Sequence, residues 1–200
     1  MSPAAFSLRQ QLAFYGAYHS NPTNIRIHIT CVPLIVWSAY VLAAHLPKLD
    51  AIPSVHADFG PYLTFDLNYS AIWAITTELY YFALTPGVTL THLPVAAVTL
   101  LSATAFASKP GSLEIAAAVH VFCWLAQFYG HGVHEGRAPA LLDNLLGGKS
   151  SLSLVLAPLF VHYEVLFILG LFKQTKKNLH NDVRKLVTEL KLKKKEIKKE

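Results

Sequence analysis

The sequence predicts an all-α integral membrane bundle of about four to six helices, followed by a basic, partly helical C-terminal tail. Three observations carry this. The chain of 200 residues is 53% hydrophobic, and its mean hydropathy is +0.38. Only 14% of its residues are charged, against about 25% in an ordinary soluble domain. Five apolar stretches, several close to the ~20 residues a spanning helix needs, follow one another along the chain.

The stretches are 27–46, 69–84, 87–108, 112–130 and 151–172. The second and fourth are short or interrupted by polar groups. Residues 47–68 are rich in Pro and Asp and read as a loop outside the membrane. Lys109-Pro110-Gly111-Ser112 reads as a tight turn, and no internal repeat is visible. Cys31 and Cys123 lie within apolar runs and read as small core residues rather than a disulfide. The N-terminus has no basic start and no clean apolar run, so no secretory signal is expected.

Charge divides the chain into two parts, 1–172 and 173–200. The tail holds 11 of 17 Lys+Arg and 4 of 12 Asp+Glu, a net +7, which leaves −2 for the remainder. Basic residues directly after an apolar segment predict a cytosolic tail, with contact to anionic lipid or simple solvation as alternatives. The tail has no interleaved aromatics and no reader fold, so no nucleic-acid partner is expected.

Ionisable residues inside apolar segments are costly and face a bundle interior or a wet cavity. Glu78, Glu114, His120, His162 and Glu164 are in this position, with hydrogen-bonded helix contacts as their alternative role. His45, His56, His92 and His180 fall at segment ends or in loops and receive no role.

The densest polar cluster is Gln127-Phe-Tyr-Gly-His-Gly-Val-His-Glu-Gly-Arg-Ala-Pro139. If the helix from 112 continues past Gly130, His131, His134 and Glu135 share one face, because residues three and four apart are neighbours. Both imidazoles can then reach one metal ion, with Glu135 as a third ligand or as a partner that orients a histidine. Gly130, Gly132 and Gly136 remove bulk and admit a neighbour. A second cluster holds His19 and His28. Ser20-Asn21-Pro22 between them ends one helix and starts another, so the chain turns and both histidines can point to one place. Asn24 is one turn before His28 and can hydrogen-bond its second ring nitrogen. A site of three or four imidazoles suits Fe, Zn, Cu or Ni. In 137–148, Pro139 starts a short helix that Gly147-Gly148 end. There Asp143 and Asn144 either support a ligand histidine or fix a re-entrant turn.

Three blocks in this order, YHSNPTNIRIHITCVPLIVW, WLAQFYGHGVHEGRAPALLDNLLG and LAPLFVHYEVLFILG, resemble the family of fungal 2-hydroxy fatty acid dioxygenases, which has bacterial and plant relatives. The resemblance runs from about residue 6 to 172. It implies a membrane enzyme of the endoplasmic reticulum that uses Fe(II) and O2, without 2-oxoglutarate, to shorten a long-chain 2-hydroxy fatty acid by one carbon. In fungi this serves phytosphingosine breakdown. Carried over residue by residue, it implies His19, His28 and His131 as iron ligands. Asn24, Glu135, Arg137, Asp143, Asn144 and Glu164 also match its motifs. His134 departs from the pattern, since many members carry Phe there, and its place as a ligand rests on the spacing from His131. His162 is outside the pattern.

The expected chemistry is consistent. A 2-hydroxy acid chelates a metal through its carboxylate and hydroxyl oxygens, and three histidines leave positions for that chelate and for O2. Arg137 can pair with the substrate carboxylate in a bidentate fork, or with Asp143 or a lipid phosphate. Two other readings stay open: a zinc-dependent membrane lipid hydrolase with Glu135 as general base, and a non-enzymatic membrane scaffold whose histidines only tie helices together.

Overall fold

A computed structural model describes residues 7–47, 50–136 and 152–197. Arg137, Asp143 and Asn144 lie outside the described residues. The helical expectation holds. The described residues form seven α-helices, a π-helical turn and one small hairpin. We label them α1 (Leu8–Tyr18), α2 (Pro22–Ala44), β1 (His56–Asp58), β2 (Thr64–Asp66), α3 (Tyr69–Leu84), α4 (Pro86–Ala107), α5 (Ser112–Tyr129), α6 (Leu152–Ile168) and α7 (Lys173–Ile197). The π-helical turn, Gly130–Glu135, continues α5 directly. The chain divides into two compact units. One is Met1–Ile27 with Phe128–Glu200, and the other is His28–Gln127.

In the second unit many small residues are inside and many large apolar ones outside, although Tyr81 and Val41 are also fully buried. Ala71, Ala103 and Ala116 are fully buried with Ser38 and Ser70, whereas Leu79 is 64%, Phe122 68% and Leu125 62% exposed. Burial of apolar side chains from water would produce the opposite pattern. Close packing of small residues, with large apolar groups turned toward hydrocarbon, produces this one. Helices α2, α4 and α5 with its π turn are each long and apolar enough to cross a membrane, and α6 and α7, bent by 119°, could form a fourth span. The apolar character of these helices marks a membrane protein, and the described residues offer three candidate spans, or four with the bent pair, against the four to six expected.

Many polar side chains inside these helices find partners within the bundle, as hydrocarbon favours. Ser38 Oγ donates to Leu34 O at 2.7 Å, Thr89 Oγ1 to Thr85 O at 2.9 Å and Ser70 Oγ to Tyr40 O at 2.8 Å. His120 bridges α5 to α2. Trp124 Nε1 donates to His120 Nε2 at 3.0 Å, so Nδ1 carries the proton and donates to Ser38 Oγ at 2.9 Å. Glu78 pairs with His92 Nδ1 at 2.9 Å across α3 and α4, which gives His92 a contact the sequence reading did not assign. Cys31 and Cys123 are buried and free, as expected.

Two loops carry detail that periodicity does not reveal. The segment after α2 holds an antiparallel hairpin, with His56 opposite Asp66 and Asp58 opposite Thr64. Its register is pinned by His56, whose ring meets Asp66 at 2.7 Å and Asp58 at 3.1 Å. The turn at 109–112 forms as expected, with Gly111 at φ +74°, a conformation that favours glycine.

In the first unit α1 packs against α6 and α7. Leu12, Ala13, Tyr15 and Ala17 of α1 are buried with Leu156, Leu159, Phe160 and Tyr163 of α6. The basic tail is helical from Lys173, as the partly helical expectation has it, and most of its described residues are exposed. A Cβ on Gly16 would come within 2.7 Å of Val183 Cγ2, so the missing side chain sets the close approach of α7 to α1. Arg9 grips Asp182 with two hydrogen bonds, of 2.6 and 2.8 Å.

Candidate metal centre

Helix α1 ends and α2 begins where Ser20-Asn21-Pro22 predicts. Asn21 caps the new helix by accepting from Thr23 N at 2.8 Å, and Pro22 takes its first position, where no N–H is needed. His19 follows the last residue of α1, at the helix end that leaves carbonyls without intrahelical donors. It uses one of them: His19 Nδ1 lies 2.8 Å from Tyr15 O. A carbonyl only accepts, so Nδ1 carries the hydrogen and Nε2 of the neutral ring presents its lone pair. Histidine ligands are commonly fixed by such a second bond, which selects the ring nitrogen offered to the metal.

The Tyr15 ring lies flat on the His19 imidazole, with centroids 3.8 Å apart and planes 15° apart. It also meets Phe160, with centroids 4.5 Å apart. The sequence reading passed over Tyr15. Its signal was the four-residue spacing from His19, which puts both on one helix face.

The π turn delivers His131. It is only 3% exposed, and its ring meets that of His19 edge-on with centroids 4.8 Å apart. His28 is one turn along α2 from Asn24 and 5% exposed. His19, His28 and His131 form a buried group that could hold a metal ion, each offering a ring nitrogen within 4.8 Å of the others. Imidazole–metal bonds of about 2.1 Å place ligands of one ion within about 4.2 Å of each other, so small ring rotations complete the set. The donors also fit chemically: three neutral imidazoles suit a borderline transition metal and leave positions open.

Glu135 and His134 lie outside this group. Glu135 accepts four hydrogen bonds from the α1–α2 turn: Ser20 N at 2.7 Å, Ser20 Oγ at 2.9 Å, Asn21 N at 2.7 Å and Asn24 Nδ2 at 3.2 Å. Its carboxylate clasps the turn between His19 and His28 to the π turn that bears His131. His134 is half-buried, its ring edge-on to Tyr129 at 5.3 Å, and its carbonyl accepts from Asn21 Nδ2 at 3.0 Å. Asn24 is fully buried and sits against Gly130, where a Cβ would fall 2.3 Å from Asn24 Oδ1. Asn24 Nδ2 donates to Glu135 at 3.2 Å.

The continuation past Gly130 was expected as an α-helix and is instead π-helical. Such turns recur at functional sites. Gly136 closes it in the left-handed conformation, at φ +63°, with its N–H on His131 O.

Comparison with known proteins agrees with these elements. No solved structure matches the chain. The chain is 35% identical over 183 residues to the 2-hydroxy-palmitic acid dioxygenase MPO1 of Saccharomyces cerevisiae, covering 92% of this chain and 93% of that protein. The family model described as "2-hydroxy-palmitic acid dioxygenase Mpo1-like" matches residues 5–169, a span that takes in all three histidines, and the chain therefore belongs to the Mpo1-like family.

Proposed function

We propose that this chain is an Fe(II)-dependent dioxygenase of the endoplasmic-reticulum membrane that shortens long-chain 2-hydroxy fatty acids by one carbon, as in phytosphingosine degradation. Its family supports a 2-hydroxy fatty acid dioxygenase-like function. The observation that carries the finer reading is the buried histidine group, a donor set suited to iron. Residues 1–172 would form the catalytic part and 173–200 a cytosolic tail.

Bound iron would supply the redox chemistry with O2 that side chains lack. The protein supplies order. Tyr15 O fixes the tautomer of His19. Glu135 holds the segments carrying the three histidines in register. Arg137, two residues beyond Glu135, would pair with the substrate carboxylate, while Asp143 and Asn144 would support the site from the following segment. His134 would modulate the site from its edge. The overall change, R–CHOH–COOH + O2 → R–COOH + CO2 + H2O, balances without a separate reductant, which fits a reaction that needs no 2-oxoglutarate.

The hydrolase alternative requires Glu135 as a general base. Four donors already occupy its carboxylate in this structure, which speaks against that role.

The test is metal-dependent turnover. Protein purified without chelator should contain iron and convert a 2-hydroxy acid to the acid one carbon shorter, with consumption of O2. A non-hydroxylated acid of equal length cannot form the five-membered chelate and should not react. After chelation, Fe(II) but not Zn(II) should restore activity, because zinc has no redox chemistry. His19→Ala, His28→Ala and His131→Ala should each lose iron and activity, with His134→Phe milder. Rescue by zinc would overturn the dioxygenase reading in favour of the hydrolase.

A further inference from the structure

Tyr15 does more than carry the carbonyl that fixes His19. It is buried, 7% exposed, and its ring is held against His19 and Phe160. Its hydroxyl has no solvent contact and no hydrogen-bond partner among the described residues. Buried hydroxyls are rarely left so, because each gave up water to enter the protein. Held so, the hydroxyl is a donor open to a molecule bound beside it.

We propose that the Tyr15 hydroxyl is a hydrogen-bond donor to an oxygen of the 2-hydroxy acid bound at the histidine centre. This rests on the reading of that centre as a metal site for such an acid. Several features converge. The phenol ring is stacked on one of the three histidines, which places it beside the metal position rather than elsewhere in the core. A phenol hydroxyl is ordinarily neutral at physiological pH and carries one O–H to donate. The substrate class brings three oxygens in a compact head, all of them acceptors. The three imidazoles are occupied with the metal, so a neutral donor from α1 supplies what they cannot: a contact to the substrate head itself. Phenylalanine in its place would keep the ring stack and lose only the donor.

Tyr15→Phe is therefore the decisive variant, read by binding without turnover. Wild-type and variant full-length proteins in detergent are loaded with Co(II), whose visible absorption reports its ligands. 2-Hydroxypalmitic acid is then titrated without O2. Both proteins should take up Co(II) equally, and the metal-free variant should melt at the same temperature as wild type or slightly higher, because it no longer buries a hydroxyl without a partner. Its affinity for the acid should fall by about tenfold, the order expected for one lost bond to a charged group. Equal affinity in the two proteins overturns the proposal. A lower melting temperature of the metal-free variant overturns it too, since the hydroxyl would then be bonded within the chain. So does loss of Co(II) uptake, which would make Tyr15 a support for the ligands. Wild-type protein that takes up no Co(II) would refute the metal centre together with the proposal, and the three other failures would refute the Tyr15 assignment alone.

Discussion

Replacing Glu135 separates two roles that sequence alone left together. If its carboxylate acts as a clasp, the alanine and glutamine variants should part company. Glu135→Ala removes all four hydrogen bonds to the α1–α2 turn. Bonds to a charged acceptor are worth about 1.5–3 kcal/mol each. The two from Ser20 are exposed and water can replace them, which leaves chiefly the part-buried bonds from Asn21 N and Asn24 Nδ2. Part exposure reduces these as well, so the loss should be about 2–3 kcal/mol. For a chain of this size that lowers the melting temperature by roughly 4–12 °C. Glutamine can keep its carbonyl oxygen in the place of Oε1, where three donors meet, and turn its amide to Ser20 Oγ, which can accept. Glu135→Gln should therefore melt within about 3 °C of wild type, retain iron and keep most activity. The assays are thermal unfolding in detergent, metal content and turnover on one preparation of each variant. A glutamine variant that is as inactive and metal-free as alanine, yet melts like wild type, would refute the clasp and restore Glu135 as a ligand or base.

Other expectations follow from single contacts. Gly130→Ala drives a Cβ into the fully buried Asn24 and should destabilise by about 1–3 kcal/mol, although alanine is ordinarily the better helix former by about 1 kcal/mol. Gly132→Ala, which meets open space, should be neutral or stabilising in the same melting assay. In the hairpin, hydrogen bonds from Asp66, then Asp58, raise the pKa of His56 above its ordinary value. Its contribution is then full below about pH 6.5 and lost as pH rises through the raised folded value. Amide exchange at Phe59 and Leu67, corrected for intrinsic rate, should show protection falling above that pH in wild type and not in His56→Ala. Finally, a protease unable to enter sealed microsomes should cleave the tail beyond Lys173, and full protection would refute a cytosolic tail.

The sequence by itself determined the class of fold and much of the donor set. Charge scarcity and apolar length reveal membrane helices because hydrocarbon imposes both, and α3 occupies the predicted apolar stretch, 69–84, which is short for a span. The break at Ser20-Asn21-Pro22 was legible because capping chemistry is local. The three histidines were nameable from their turn, their spacing and the family resemblance. Tertiary structure decided what local pattern cannot encode. That His19, His28 and His131 meet depends on contacts between residues more than a hundred positions apart. Spacing shows only that Glu135 shares a face with His131, which left it as a third ligand, a partner that orients a histidine or, in the hydrolase reading, a base. Its actual neighbours, Ser20, Asn21 and Asn24, come from the other end of the chain. The π turn was missed because its six residues read equally well as α-helix. The hairpin went unseen because strands of three residues are too short to show alternation. The tail was expected to be partly helical, but its docking on α1 was not legible, since that approach depends on one absent side chain, Gly16, facing Val183. Tyr15 was overlooked for a similar reason: an aromatic on an apolar helix face usually denotes core, and only the stack on His19 and the buried hydroxyl set it apart.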